Sequence, residues 1–135
     1  MSTDDLGNSM IFPIGEKFES DHFTGTVWLK MLTPSDSACP IANVTFEPEC
    51  RNNWHQHPGG QVLLVTAGRG YYQEWGKPAR ELHAGDIVTI GADVKHWHGA
   101  ARDSRLVHLA IQVDPGKGPV TWLEPVSDED YNKLK

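Results

Sequence analysis

Four side chains with metal-binding chemistry occur in one short stretch and one distant segment of the chain. His55 and His57 are two residues apart, and Gln61 follows four residues later. In an extended segment these two histidines project to the same side, and a short bend can return Gln61 to that side. His96, far along the chain, could complete the set. Imidazole nitrogens and a carboxamide oxygen suit first-row divalent ions, so the pattern predicts a site for manganese, iron, nickel or zinc with positions left open for a substrate.

The elements that would position these residues are strands. Short alternating or apolar runs are separated by Gly, Pro, Asp and Asn, and helical periodicity is almost absent. The strands are predicted near residues 26–31, 41–47, 61–67, 70–75, 86–90, 96–100 and 106–113. Residues 67–70 are predicted to form a tight hairpin, because glycines tolerate the positive φ of such turns. This all-β pattern favours a closed jelly-roll barrel that encloses a pocket.

The length of 135 residues fits one domain with a core of its own. Residues 1–22 are predicted to be an N-terminal segment that extends a sheet or crosses to a neighbouring subunit. Residues 23–126 are predicted to form the barrel and residues 127–135 a short tail. The tail begins with Ser127 before an acidic run, which is typical of a helix N-cap, so a short terminal helix is expected there.

Composition excludes several kinds of partner. The formal charge is −6 and there is no block of Lys or Arg, which argues against a nucleic-acid partner. The start of the chain lacks the pattern of a signal peptide, and no run approaches the ~20 apolar residues of a membrane span. We expect a soluble cytoplasmic protein with a small-molecule substrate. Cys39 and Cys50 flank the predicted strand 41–47, which would hold them too far apart for a disulfide.

The predicted strand 106–113 has two different faces. One carries Leu106, His108, Ala110 and Gln112, and the other is wholly apolar. The apolar face requires the core or an interface, and the mixed face requires water or a partly polar cavity. Beside a metal, His108 could transfer protons near neutral pH; a packed or solvent-facing histidine fits the pattern equally well. His98 presents a similar choice between lining the pocket and satisfying a hydrogen bond in the core.

Two segments resemble the paired motifs of the cupin superfamily. The stretch Trp54–Gln61 with Gly68 resembles the motif G-x5-H-x-H-x3-4-E-x6-G, and residues 85–100 resemble G-x5-P-x-G-x2-H-x3-N. Departures occur at Glu49 for the first glycine, at Gln61 for the ligand glutamate, and at Gly91, Asp93 and Ala100 for the proline, glycine and asparagine of the second motif. With glutamine every ligand is neutral, so the ion would keep its full positive charge for an oxyanion or a cyanide-like ligand.

A narrower resemblance covers most of the chain. Residues 23–27, 42–48, 54–61, 65–68, 83–86, 95–101, 108–112 and 122–126 are similar to the small bacterial cupins that include manganese-dependent hydroxynitrile lyases. The resemblance implies a cupin-type jelly-roll barrel and one manganese ion held by His55, His57, Gln61 and His96. It also implies a homodimer or higher homo-oligomer, and reversible cleavage of a cyanohydrin into an aldehyde or ketone plus hydrogen cyanide, with no organic cofactor.

The resemblance also assigns roles within the pocket. His108 is predicted to transfer the proton, with Gln112 and His98 orienting the substrate or cyanide. Ala42 and Val44 are predicted to shape the space for an aryl group. Two alternatives remain open at this point: an iron dioxygenase that uses the same site, and a non-catalytic cupin that binds a small acid or sugar. A lyase works without oxygen, a dioxygenase consumes oxygen, and a binding protein does neither.

Overall fold

The computed structural model describes residues 10–134, which are mostly β-structure. Residues 1–9 of the predicted N-terminal segment and residue 135 of the predicted tail lie outside the described residues. The strands are β1 Glu16–Lys17, β2 Phe23–Thr24, β3 Val27–Met31, β4 Ile41–Phe46, β5 Arg51–Asn52, β6 His55–Gln56, β7 Gln61–Glu74, β8 Arg80–His83, β9 Ile87–Ile90, β10 His96–Ala100, β11 Leu106–Gln112 and β12 Thr121–Trp122. A 3₁₀ turn at Pro115–Lys117 and the helix α1, Asp128–Asn132, complete the elements.

The long strand β7 belongs to two antiparallel sheets. Its first half pairs with β9 and β11, in a sheet that continues through β4 and β3 to β1. Its second half pairs with β8 and β10, in a sheet that continues to β5 and β2. The short strands β6 and β12 add to this second sheet beside β10. Two antiparallel sheets that share a strand and curl around one interior form the predicted jelly-roll barrel.

The predicted hairpin at residues 67–70 is wrong, because β7 is one continuous strand that includes these residues. Gly68 has a φ of 81°, and the register between β7 and β11 shifts between Val107 and His108. A Cβ added at Gly68 would lie 1.9 Å from the carbonyl oxygen of Arg105. Glycine is therefore required where β7 passes from one sheet to the other, because a positive φ occurs here inside a continuous strand rather than in a turn.

The hydrophobic core lies between the two sheets. Its largest cluster consists of side chains from β4, β7 and β11, with contributions from β3, β8, β9 and β10. Phe46, Leu63 and Leu106 are completely buried in it. The mixed face of β11 points into this interior, since Leu106 and Ala110 pack in the cluster. The wholly apolar face of β11 lies outside, where Val107 is covered by Ala67 and Met10.

The predicted terminal helix is confirmed as α1. The Ser127 hydroxyl accepts a hydrogen bond from the Asp130 amide, as an N-cap does. The Tyr131 hydroxyl donates to the Ala100 carbonyl at 2.6 Å, and the buried Arg51 guanidinium pairs with Asp128. These contacts fasten α1 to the outer side of the second sheet.

Cys39 and Cys50 are free thiols, as predicted. Helices with the length and apolar character of a membrane span do not occur among residues 10–134.

Candidate metal centre

Three histidines converge inside the barrel from two neighbouring strands. His55 lies on β6, and His96 and His98 lie on β10, with His96 directly opposite His55 in the register. One nitrogen from each ring lies within 4.8 Å of the others, and all three side chains are buried. This convergence arises because two segments distant in sequence pair as antiparallel strands. The structure therefore brings together two of the predicted metal ligands and one predicted pocket residue.

His55 and His96 are anchored in the same way. His55 Nδ1 lies 2.8 Å from the Asn53 carbonyl oxygen, and His96 Nδ1 lies 2.9 Å from the Val94 carbonyl oxygen. A ring nitrogen that faces a carbonyl must carry the proton and donate it, so Nε2 holds the lone pair in the neutral ring. Metal-binding histidines are commonly held by such backbone contacts, which fix the ring and its tautomer. Both rings are thus prepared to bind a cation through Nε2.

His57 and Gln61 lie beside these rings. The chain bends after β6, where Gly60 has a φ of 91°, and β7 begins at Gln61. The His57 ring centroid is 5.2 Å from that of His55 and 5.9 Å from that of His96. His57 therefore lies next to the other two predicted imidazole ligands, and the predicted bend separates it from Gln61.

Several buried nitrogen and oxygen atoms at this place have no hydrogen-bond partner among residues 10–134. They are both His57 ring nitrogens, Gln61 Oε1 and His96 Nε2. Buried polar atoms are rarely left unpaired, and their concentration at one point indicates that something else satisfies them. Neutral nitrogens and an amide oxygen match the donors that a first-row divalent cation takes. The residues present therefore fit the metal that the cupin motifs imply.

His98 occupies a different environment from the other two clustered histidines. Its ring packs 5.6 Å from Phe46 and 4.9 Å from His108, measured between centroids. The side chain of Asn52, on β5, contacts its ring and its backbone amide. His98 is therefore held between the core and the metal-facing rings.

Burial keeps the imidazoles of the interior neutral. Loss of hydration, together with the nearby His96, lowers the pKa of His55 well below its usual value and that of His57 to about 4. Burial likewise lowers the pKa of His96, lowers that of His98 strongly, and lowers that of His108 to about 4. A charged imidazole cannot bind a metal, and at neutral pH these rings are uncharged.

The other predicted pocket residues lie on the first sheet and face the same interior. His108 is 1% exposed and stands opposite Val44 in the register, and its ring nitrogens have no hydrogen-bond partner in the described part of the chain. Ala42 stands opposite Ala110, so small side chains line this part of the wall. Gln112 pairs in register with Gln61 and is partly buried. The first sheet thus contributes the predicted proton-transfer and substrate residues, and the second contributes most of the histidines.

Two further neighbours of the site were not singled out from the sequence. Trp122 on β12 packs 4.8 Å from the His55 ring, and His22 stacks on Trp122 at 4.5 Å with the ring planes only 2° apart. This stacking leaves His22 half-buried against Trp122. Asn52 is the second case: it is 3% exposed although it lies in a polar stretch. Neither residue type signals a site by itself, because the contacts depend on strand pairing across the fold.

Comparison with known proteins agrees with this geometry. Residues 42–112 match the model of the family described as Cupin domain. A protein of Granulicella tundricola named (R)-mandelonitrile lyase is 45% identical over 119 residues, which cover 87% of this chain and 91% of the relative.

Solved structures show the same fold. A cupin-like protein of Thermotoga maritima MSB8 superposes with a TM-score of 0.89 at 50% identity, covering 92% of this chain and 96% of that one. A cupin 2 conserved barrel domain protein of Rhodopseudomonas palustris superposes with a TM-score of 0.68 at 17% identity, covering 88% and 81% of the two chains. The paired motifs, the jelly-roll barrel and these matches together place the chain in the cupin family.

Proposed function

We propose that this cupin is a metal-dependent hydroxynitrile lyase that reversibly cleaves cyanohydrins into an aldehyde or ketone plus hydrogen cyanide. The observation that carries the proposal is the combination of a cluster of buried, neutral and unpartnered donor atoms with a 45% identical relative named (R)-mandelonitrile lyase. The match covers 91% of the relative, so it is not confined to one motif.

His55, His57, Gln61 and His96 would hold the metal, and manganese is the proposed ion. His57, Gln61 and His96 each offer a buried atom that has no hydrogen-bond partner among the described residues. His55 and His96 each have Nδ1 anchored to a backbone carbonyl, which leaves Nε2 for the metal. When bound there, the metal supplies a Lewis acid for the carbinol oxygen of the substrate.

The protein's own residues then move the proton. His108 is neutral and unpartnered, so it can accept the hydroxyl proton of the cyanohydrin. As the carbonyl group forms, the carbon–carbon bond breaks and its electron pair leaves with cyanide, which takes the proton from His108 to give hydrogen cyanide. His98 and Gln112 would orient the substrate or the cyanide, and no electron is transferred to or from a cofactor.

The small side chains Ala42 and Val44 would provide the space for the organic group of the substrate. Ala42 is 8% exposed and Val44 is 7% exposed, and both lie on the inner face of β4. An aryl ring needs an apolar wall without bulky side chains at this position. Larger residues there would therefore be expected to restrict the enzyme to smaller cyanohydrins.

The proposed oligomer is a homodimer formed through the outer face of the first sheet. Ile87, Leu64 and Leu109 form one apolar row across three strands, and Ile87 is 61% exposed. An apolar row of this kind on a sheet surface suits a second, identical row related by twofold symmetry. The molar mass of the protein in solution tests this part of the proposal.

The experiment that tests the function is the release of benzaldehyde from each enantiomer of mandelonitrile at mildly acidic pH and without oxygen. Manganese-loaded protein is compared with metal-free protein and with the variant His55→Ala. We expect metal-dependent release that His55→Ala abolishes. The matched control is His83→Ala, which removes a surface histidine whose side chain is 56% exposed and which should leave the rate unchanged.

The outcomes separate the classes of function. If fully loaded protein released no benzaldehyde above background from either enantiomer, the lyase proposal would be wrong for this substrate. Consumption of oxygen by iron-loaded protein would favour a dioxygenase instead. Release that continued in His55→Ala would show that the reaction does not take place at this centre.

A further inference from the structure

Asn52 makes two hydrogen-bonding contacts with one residue, His98. Its Oδ1 lies 2.9 Å from the His98 backbone nitrogen, and its Nδ2 lies 3.1 Å from His98 Nε2 and 3.4 Å from His98 Nδ1. Asn52 is 3% exposed and His98 is 4% exposed, so water does not compete for these contacts. The two residues are 46 positions apart and meet because β5 pairs with β10.

The first contact fixes the orientation of the Asn52 amide. A backbone N–H can only donate, so the atom that faces it must be the amide oxygen. The amide nitrogen must then face the ring of His98, and an exchange of the two amide atoms would set two donors against each other. Asn52 therefore presents a hydrogen-bond donor to the imidazole.

This donor determines which nitrogen of His98 holds the lone pair. A neutral imidazole has one N–H and one acceptor nitrogen, and the nitrogen that accepts from Asn52 cannot carry the proton. Nε2 is the nearer nitrogen, at 3.1 Å against 3.4 Å for Nδ1, so we assign Nε2 as the acceptor and place the proton on Nδ1. The only lone pair of the ring is used by Asn52, and none is left for a cation.

His55 and His96 show the opposite arrangement. Their Nδ1 atoms donate to backbone carbonyls, which leaves a lone pair on Nε2. All three rings are close enough together to surround one ion. By its distance from His55 and His96 alone, His98 would be counted as a metal ligand. Its hydrogen bond with Asn52 instead makes it a residue that lines the pocket.

We propose that Asn52 is a positioning residue that keeps His98 out of the metal's coordination and presents its N–H as a hydrogen-bond donor to the bound substrate or cyanide. The inference rests on the metal centre in the proposed function, but it does not depend on the identity of the substrate. It also explains why the chain needs His57 and Gln61: with His98 occupied, the remaining ligands must come from the bend after β6.

The decisive variant is Asn52→Asp, which keeps the size and the acceptor for the His98 backbone amide. Its second carboxylate oxygen can only accept, so the facing ring nitrogen must now carry the proton. The lone pair then moves to the other nitrogen of His98, where it is free to bind a metal. The matched control is Asn132→Asp, which introduces the same charge at an exposed residue of α1 and keeps the side-chain oxygen that accepts from Arg102.

Two measurements test the proposal, and neither needs turnover. Nitrogen-15 NMR of the histidine side chains in metal-free protein, recorded above neutral pH, should show an unprotonated Nε2 in His98 and an exchange of the two nitrogens in Asn52→Asp. The visible absorption spectrum of cobalt-loaded protein should change in Asn52→Asp and remain unchanged in Asn132→Asp.

A protonated Nε2 in His98 of the unaltered protein would overturn the proposal, and this measurement stands even if Asn52→Asp fails to fold. The same spectral change in both variants would also overturn it, since the cause would then be charge alone. A protein without lyase activity that still shows the expected spectra would contradict the proposed reaction and support the role of Asn52.

Discussion

The buried histidines of the two sheets differ in the hydrogen bonds that their ring nitrogens make. On the second sheet, His55 and His96 each donate from Nδ1 to a carbonyl two residues earlier in the chain. On the first sheet, His108 is equally buried and has no partner on either nitrogen. An anchored ring has one fixed tautomer and suits a metal ligand, whereas an unanchored ring can take and release a proton. In the proposed function, the anchored rings of His55 and His96 would bind the metal and the unanchored ring of His108 would transfer the proton.

The largest expected effect follows from removing an anchored ring. In His96→Ala the metal loses a ligand that no neighbour can replace, because His98 is engaged by Asn52. We expect metal content near background and no measurable lyase activity. Elemental analysis of the purified variant, together with the mandelonitrile assay, checks both expectations. Retention of a full equivalent of metal would contradict the division between the sheets.

Replacing the unanchored ring of His108 should lower the rate and leave the metal content unchanged. In His108→Gln we expect full metal content and a decrease in kcat of roughly 10²–10⁴-fold, the usual contribution of a general acid–base group. The same elemental analysis and the pH dependence of kcat provide the readouts. Loss of metal from this variant would indicate that His108 belongs with the ligands.

The burial of neutral histidines predicts an acid-sensitive metal-free protein. The pKa of His108 is lowered by burial from 6.5 to about 4, so protons bind more tightly to the unfolded chain. The stabilising contribution is complete above pH 6.5 and is lost as the pH falls to about 4. Protonation of His108 alone is expected to lower the free energy of unfolding by about 3 kcal/mol.

Urea denaturation of metal-free protein across this pH range checks the prediction. His108→Gln should show a smaller loss of stability on acidification than the unaltered chain, and His83→Ala should show the same loss. An equal pH dependence in His108→Gln and the unaltered protein would count against a neutral, buried His108.

The smallest effect concerns the turns that precede the ligands. Glu49 has a φ of 71° and Asp93 a φ of 60°, at the two positions where the cupin motifs have glycine. A side chain in this left-handed region costs about 1 kcal/mol, less for aspartate than for glutamate. We expect Glu49→Gly to raise the free energy of unfolding by up to about 1 kcal/mol, and Asp93→Gly by less. Thermal denaturation of both variants measures the difference, and a reversed order would contradict this account of the turns.

Much of the barrel could be predicted because strand periodicity is a local property. The strand His96–Ala100 is confirmed with its predicted ends, and those of β3, β4, β9 and β11 differ from prediction by one residue. The two-residue strands β5, β6 and β12 were not predicted, since two residues carry no period. The hairpin at Gly68 was wrong because a glycine with positive φ also occurs inside a continuous strand.

The candidate site was predictable in its residue types and less so in its arrangement. The paired motifs led to His55, His57, Gln61 and His96, and their assignment as the ligand set stays a prediction. Proximity in the fold adds His98 to the cluster. Only the contact with Asn52 separates His98 from the others, and that contact joins β5 to β10 across the fold.

The sequence by itself determined that the chain forms strands, that it carries two cupin motifs, and that neutral nitrogen and oxygen donors are available for a metal. These properties depend on residue type and short spacing. Only the tertiary structure decided which face of β11 is inside, which ring nitrogens are anchored, and that Trp122, stacked on His22, packs against His55. Alternation along a strand distinguishes its two faces but does not choose between them; that choice is made by long-range pairing, which no local pattern encodes.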